Sequence, residues 1–221
     1  GRDGAVGHLL YRKLVAVPGF ADPVKNGTGR IGGEGRVLNA EPKKGGGITL
    51  ERPDIAPDTE TVNRYIQGRR ILVTGAGGSI GAELCRQIVA CGPESLLLLG
   101  RGENSIFEIH RELADDWSTA ALEMIIADVR DRSRLKRVFA EYRPEVVFHA
   151  AAHKHVHLME QHPDEAIKNN IFGTANIAEI SLETGVSVFV LISSDKAVNP
   201  KSVYGATKKA AEYIVQDLSG E

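Results

Sequence analysis

From Arg70 onward, short apolar runs alternate with stretches of helical period. The runs read ILVTG at 71–75, SLLLLG at 95–100, LEMIIA at 122–127, EVVFHA at 145–150 and VSVFVLIS at 186–193. Alternation of this kind predicts βαβ units, and so an α/β fold with a doubly wound, mostly parallel sheet and helices on both faces. Ile80, Leu84 and Ile88 form the stripe of one helix, closed by Gly92-Pro93. Ile167, Ile171 and Leu182 mark the face of another, and an amphipathic piece from Thr59 to Gln67 is expected to pack on the sheet just before its first strand. No internal repeat of roughly 20 to 50 residues is visible.

Residues 1–50 lack this pattern. They hold twelve of the 24 glycines, only Tyr11 and Phe20 as aromatics, and eight Lys or Arg against four acids. Such a composition buries little. Residues 1–55 are therefore expected to be poorly ordered, a Gly-rich linker or the remnant of an upstream domain, with residues 56–221 forming the folded unit. GTGRIGGEG within that segment could pass for a phosphate loop. No apolar strand precedes it and no periodic helix follows, so linker is the better reading.

Composition narrows the partner. A chain of 221 residues with 42% hydrophobic content can bury a real core and is ordinary for a soluble globular protein. A formal charge of -2, a pI near 6.4 and the lack of any block of like charge argue against nucleic acid or an anionic membrane, leaving a small molecule. Cys85 and Cys91 stand six apart inside a predicted helix, neither a zinc nor a redox spacing, which favours a reduced, cytoplasmic protein. No apolar run approaches the roughly 18 residues of a membrane span, and there is no secretory signal. The first residue is Gly rather than Met, so the chain is expected to be a fragment.

VTGAGGSIG places Gly75, Gly78 and Gly81 directly after the first strand of the sheet and at the start of a helix. That context fits a pyrophosphate cradle: a tight turn, a bare backbone against the phosphates, and close packing of helix on strand. Gly77, Ser79 and Ile80 belong to the same cradle. About twenty residues on, where an acid would bind the ribose 2′-hydroxyl of NAD, the chain reads Gly100-Arg101. A glycine leaves room for a 2′-phosphate and a guanidinium can pair with it, so NADP is expected, with NAD served by Glu103 as the alternative. Asp128, ending the third strand, is placed to meet the adenine or to cap a helix.

Tyr204 and Lys208, at i and i+4, share a helix face, where the ammonium favours phenolate and makes the tyrosine a usable base. Ser194, past the end of the fifth strand, could bond the same substrate oxygen. Asp195 and Lys196 read equally well as an acid and base or as a solvated loop pair. Both can face one substrate only where the backbone leaves the strand, and Asn199-Pro200 predicts an irregular turn there. Five of the seven histidines fall in HAAAHKHVHLMEQH, and His153, His155 and His157 alternate as a metal-binding strand might.

TGAGGSIGAELCRQI, HAAAHKHVHLME, NNIFGT and ISSDKAVNPKSVYGATKKAAE resemble the extended short-chain dehydrogenase/reductase family, specifically its UDP-N-acetylglucosamine 4,6-dehydratase (polysaccharide biosynthesis) branch, over about residues 57–221. Many long members carry Met where this chain has Tyr204, and the branch usually has Pro at His157. The resemblance implies a Rossmann domain, truncated at its C-terminal end and lacking most of the part that grips uridine diphosphate. It implies that Tyr204, with Ser194 and Lys208, takes the C4 hydroxyl proton as hydride passes to the nicotinamide. Lys196 then removes the C5 proton, Asp195 protonates the departing C6 hydroxyl, and hydride returns to C6. For this, Asp195 must be protonated and Lys196 neutral, which demands a desolvated pocket. The resemblance also makes the histidine-rich stretch a cofactor loop, with no metal expected, and assigns Val129, Ala150, Ala151, Ala152, Lys154 and Asn170 to the cofactor side. A homo-oligomer, a UDP-N-acetylhexosamine substrate and a cytoplasmic domain, in a parent that could be membrane-anchored, complete the expectation. The segment alone is expected to bind cofactor but turn over poorly. A 4-epimerase, or a nucleotide-binding module without turnover, is the rival.

Overall fold

The computed structural model describes residues 10–15, 59–117 and 120–220. Six strands form one parallel sheet: β1 (Leu10–Val15), β2 (Arg70–Thr74), β3 (Ser95–Gly100), β4 (Leu122–Ile126), β5 (Val146–His149) and β6 (Val188–Ser193). Their order is β1-β6-β5-β2-β3-β4, with every neighbouring pair parallel. The chain turns back at β2: β3 and β4 lie to one side of it, β5 and β6 to the other. Ligands of such sheets bind beyond the carboxyl ends of the strands at this switch point.

The helices are α1 (Thr59–Ile66), α2 (Ser79–Ala90), α3 (Glu103–Asp116), α4 (Arg132–Tyr142), α5 (Val156–Gln161), α6 (Pro163–Ala166), α7 (Gly173–Glu183) and α8 (Val203–Ser219). Successive strand residues face opposite layers. Leu72, Leu97, Val147, Phe189 and Leu191 meet Leu135 and Phe139 of α4, Ile177 of α7 and Val215 of α8. Ile71, Val73, Leu96, Leu98 and Val146 meet Cys85 and Ile88 of α2 and Ile106 of α3. Each such fully buried aliphatic side chain contributes about 2 kcal/mol, which is why both faces of the sheet read as apolar in sequence. Local chemistry sets the ends. Asp131 Oδ1 accepts from Arg134 N at 2.9 Å to cap α4, Ser202 Oγ accepts from Gly205 N at 3.1 Å to cap α8, and Gly220, at φ 76°, ends α8.

The structure revises three expectations. β1 comes from within residues 1–55, where no element was expected; the rest of that segment, GTGRIGGEG included, lies outside the described residues. On α2 the buried face is Gly81, Cys85, Ile88 and Val89, while Ile80 is 38% exposed. Small residues face the sheet there because the helix starts hard against the turn before it. On α7 the buried face is Gly173, Thr174, Ile177, Ala178, Ile180 and Ser181, and Ile167 and Leu182 fall on the exposed side. A π-helical stretch, Ile167–Phe172, joins α6 to α7, and its wider turn shifts the phase of the stripe, so a 3.6-residue reading across it fails.

Candidate active site

The glycine turn leaves β2 at Gly75, whose φ of 68° suits a residue without Cβ. A Cβ there would also sit 2.8 Å from the backbone N and Cα of Ala151, across the switch point after β5. At Gly81 a Cβ would collide with the carbonyl oxygen of Gly75, so α2 lies directly on the turn and presents its N-terminus to the cleft.

Two adjoining cavities open along these loops. The larger, about 340 Å³, runs from Gly75 and Gly77 past Gly100, Arg101 and Ser105 to Asp128, Val129 and Asn169. The smaller, about 250 Å³, runs from Gly78, Ser79 and Ile80 past Lys154 to Ile192, Ser193 and Tyr204. Ala150, Ala152 and His153 line both, so the loop after β5 is their shared wall. At the far end Arg101 is exposed, and Asp128 takes Arg130 Nη2 at 2.8 Å and Arg130 N at 2.9 Å. That guanidinium holds the carboxyl below its usual range. Asp128 is thus a wall residue held ionised, and the cap of α4 is Asp131 instead. Burial, with Arg101 and Arg130 nearby, keeps His153 below the usual histidine range. His153 and His155 lie in the loop and His157 on α5, so the alternating-strand arrangement that would bring three imidazoles to one metal does not form.

Asn170 lines neither cavity. Its Oδ1 accepts from His153 N at 2.8 Å, and its Nδ2 donates to His153 O and to Thr207 Oγ1, both at 3.0 Å. With its amide fully engaged, it acts on any cofactor through His153, and its neighbour Asn169 is the wall residue. At the other end of the loop, Glu160 Oε1 accepts from Val203 N at 2.7 Å, tying α5 to the start of α8.

The stretch after β6 departs most from expectation. Lys208 is buried, donates from Nζ to Ile192 O at 2.7 Å, and is pushed down to about 8 by burial, against the opposing charge of Glu212. Tyr204, one helical turn before it, opens on the smaller cavity. Beside Tyr204 the wall is Ser193 rather than Ser194. Ser194 Oγ is spent locally, donating to Asp195 Oδ1 at 3.1 Å and accepting from Lys196 N at 3.2 Å as it caps a 3₁₀ turn, Asp195–Ala197. Ser193 Oγ meanwhile donates to the buried Glu212 at 2.5 Å. Glu212 went unnoticed in the sequence, although Tyr204, Lys208 and Glu212 at i, i+4 and i+8 form one helix face.

Asp195 and Lys196 are not in a water-poor pocket. Their side chains are 66% and 52% exposed and pair at 3.3 Å. Lys196 and then Ser194 bond the Asp195 carboxyl and lower its pKa, the opposite of an acid kept protonated. The cause is that the turn carries both side chains outward from the end of β6. The turn itself is fixed: α8 lies so close that a Cβ on Gly205 would overlap the carbonyl of Lys196 and come within 3.3 Å of Pro200 Cβ. Gly205 therefore seats the acid-base turn on the helical turn that carries Tyr204.

A parallel sheet with a glycine turn at its switch point and a Tyr-x-x-x-Lys helix defines an extended short-chain dehydrogenase/reductase. Residues 71–221 match the family model described as polysaccharide biosynthesis protein, and the chain belongs to that family. It is 50% identical over 218 residues to the probable polysaccharide biosynthesis protein EpsC of Bacillus subtilis (strain 168), covering 95% of this chain and 35% of that one. It is 36% identical over 147 residues to a UDP-N-acetylglucosamine 4,6-dehydratase (inverting) of Campylobacter jejuni, covering 66% and 42%. A UDP-glucose-4-epimerase of Stenotrophomonas maltophila, solved with bound NAD and formylated UDP-arabinopyranose, superposes with a TM-score of 0.60 at 25% identity, covering 69% and 50%. The chain thus spans between about a third and a half of these relatives' length. Among the described residues no helix is long and apolar enough to cross a membrane.

Proposed function

We propose that this chain is the dinucleotide-binding and catalytic part of a nucleotide-sugar 4,6-dehydratase acting on UDP-N-acetylglucosamine, with residues 56–221 and the edge strand β1 as its folded unit. The observation that carries the reading is the seating of the Asp195–Lys196 turn on the Tyr204 helix through Gly205. It brings the backbone of that turn against the helical turn whose Tyr204 lines the smaller cavity, and an adjacent acid and base are a pair a 4-epimerase does not use. The relatedness to a 4,6-dehydratase supports it.

The residues fit a nicotinamide dinucleotide. Gly75 and Gly81 let Ala151 and α2 close onto the turn, Ser79 and Ile80 open α2 beside the smaller cavity with the helix's first N–H groups, and the alanines after β5 keep the wall between the cavities low. Such a cofactor, when bound, supplies a reversible two-electron acceptor beside the sugar. Tyr204 takes the C4 hydroxyl proton, with the buried Lys208 ammonium one helical turn away. Lys196 then takes the C5 proton and Asp195 gives one to the leaving C6 oxygen, so that water departs and the sugar undergoes no net oxidation. Arg101, exposed at the cavity's end with no acid closing β3, supports NADP over NAD. Weaker NADP than NAD binding in a titration would remove that part.

A 4-epimerase remains the second reading, favoured by one observation: Asp195 and Lys196 rest as an exposed ion pair. Incubation of a protein carrying this chain at the full length of its relatives with UDP-N-acetylglucosamine and NADP, followed by mass spectrometry, separates the two. Loss of one water is expected; an isomer of unchanged mass, inverted at C4, would sink the dehydratase.

A further inference from the structure

His149 ends β5 and is completely buried, yet the chemistry above leaves it without a task. Its two ring nitrogens meet two threonines from different layers: Nδ1 lies 2.7 Å from Thr74 Oγ1, and Nε2 lies 3.0 Å from Thr174 Oγ1. The partners of those hydroxyls fix every proton. Thr174 donates at 2.6 Å to the carbonyl of Asn170, which can only accept, so Thr174 must in turn accept from His149 Nε2–H. Nδ1 then carries the lone pair and accepts from Thr74, whose oxygen takes Ala151 N–H at 3.3 Å. Thr74 immediately precedes Gly75, and Ala151 is the residue against which Gly75 is packed. At the other end, Asn170 grips the backbone of His153 and donates to Thr207, which donates to Tyr204 O at 2.8 Å.

We propose that His149 is a positioning residue: a neutral imidazole, protonated on Nε2, that links the glycine turn to Asn170 and so to the helical turn bearing Tyr204. Filling the cleft at Gly75 and setting the phenol are then one event. Burial, which holds the imidazole down to about 3, agrees with a ring that never charges in the working range. An ionised His149 would place a second donor on Thr74 and break the order of the chain. The coupling rests on the cofactor reading above; the tautomer does not.

The test uses the chain labelled with ¹⁵N at histidine rings and backbone amides. Ring spectra should show His149 as the Nε2–H tautomer, unchanged from pH 5 to 8; an Nδ1–H ring, or one that titrates in that range, overturns the proposal. Addition of NADP should move the amide signals of Tyr204 and Thr207 as well as those of the glycine turn. Thr174→Val, close in shape but unable to accept from Nε2–H, should leave the glycine-turn shifts and reduce those at Tyr204 and Thr207 several-fold. Equal shifts in both proteins overturn the coupling. No NADP-dependent shift anywhere would count against the cofactor reading instead, while leaving the tautomer result to stand.

Discussion

The two ends of the cleft are built on opposite plans. At the glycine turn every backbone atom is fixed by a neighbour: Gly75 by Ala151, Gly81 by Gly75, Ala151 by Thr74 and Thr74 by a buried histidine. At the turn after β6 the backbone is equally fixed, by Gly205 and the Ser194 cap, but the two reactive side chains stand in water as an ion pair. The first end is finished before any ligand arrives. On the proposed reading, the second end holds Asp195 ionised where the reaction needs it protonated, so its chemistry would await removal of the water.

The largest expected effect lies at the finished end. Gly75→Ala adds both a strained φ and a clash with backbone that cannot yield, on the order of 3 kcal/mol in urea unfolding, with NADP binding lost. Gly92→Ala is the control: its φ of 65° is equally unusual for alanine, but nothing lies within 4 Å of the added methyl, so about 1 kcal/mol is expected and NADP binding is kept. Equal losses would mean that the approach of Ala151 is unimportant.

Next comes the histidine. Its folded pKa of about 3 lies below the ordinary 6.5, so between those values the unfolded chain binds the extra proton and acid favours unfolding. Stability should fall as pH drops through 6.5, by roughly 2 kcal/mol at pH 5, measured as the difference from His149→Asn. A flat difference would show the ring to be solvated. Lys208 has the same sign in a more alkaline window. Its folded pKa of about 8 lies below 10.5, so the folded chain sheds its proton first and stability rises as pH climbs from 8 towards 10.5. About 1 kcal/mol is expected between pH 8 and 9, absent in Lys208→Met.

The contrast between the ends also explains what could be read from the chain. Strands β2 to β6 and the glycine turn were legible because their causes are local and periodic: an apolar run, buried on both faces in the inner strands, and a missing Cβ where backbones touch. Tyr204 and Lys208 were legible by spacing. Long-range partners were not. Nothing in the order of residues says that Glu160 would hold Val203 N–H, that Asn170 would clamp His153, or that a π turn would rotate the face of α7. Where the Ser194 hydroxyl bonds was hidden for a related reason. A pleated strand sends Ser193 and Ser194 to opposite sides, and which hydroxyl reaches the cleft depends on where the strand ends. The Asp195–Lys196 turn was rightly placed outside the strand, but its exposure depends on what packs over it, which residue order does not encode.

The smallest effect on stability, and the most telling, is Asp195→Asn. The carboxylate is exposed, and such surface pairs contribute little, so the urea midpoint and the NADP affinity should both be unchanged. Catalysis is where the change should appear. Because Asp195 and Lys196 touch at 3.3 Å, one proton moving from the ammonium to the carboxylate would give both groups the states the reaction needs without exchange with solvent. In water the lowered pKa of Asp195 opposes that transfer. Covering the pair with a sugar removes the hydration that favours the two charges and leaves the neutral pair competitive. Water loss by Asp195→Asn should therefore fall by about 10² to 10⁴, while transfer of a deuterium label from C4 to the nicotinamide, which would need the cofactor and Tyr204 but not Asp195, persists. If both fell together, Asp195 would be acting on the placement of the sugar rather than on the departing oxygen, and if neither fell, the Asp195 carboxyl would be a solvated bystander and another group would protonate the departing oxygen.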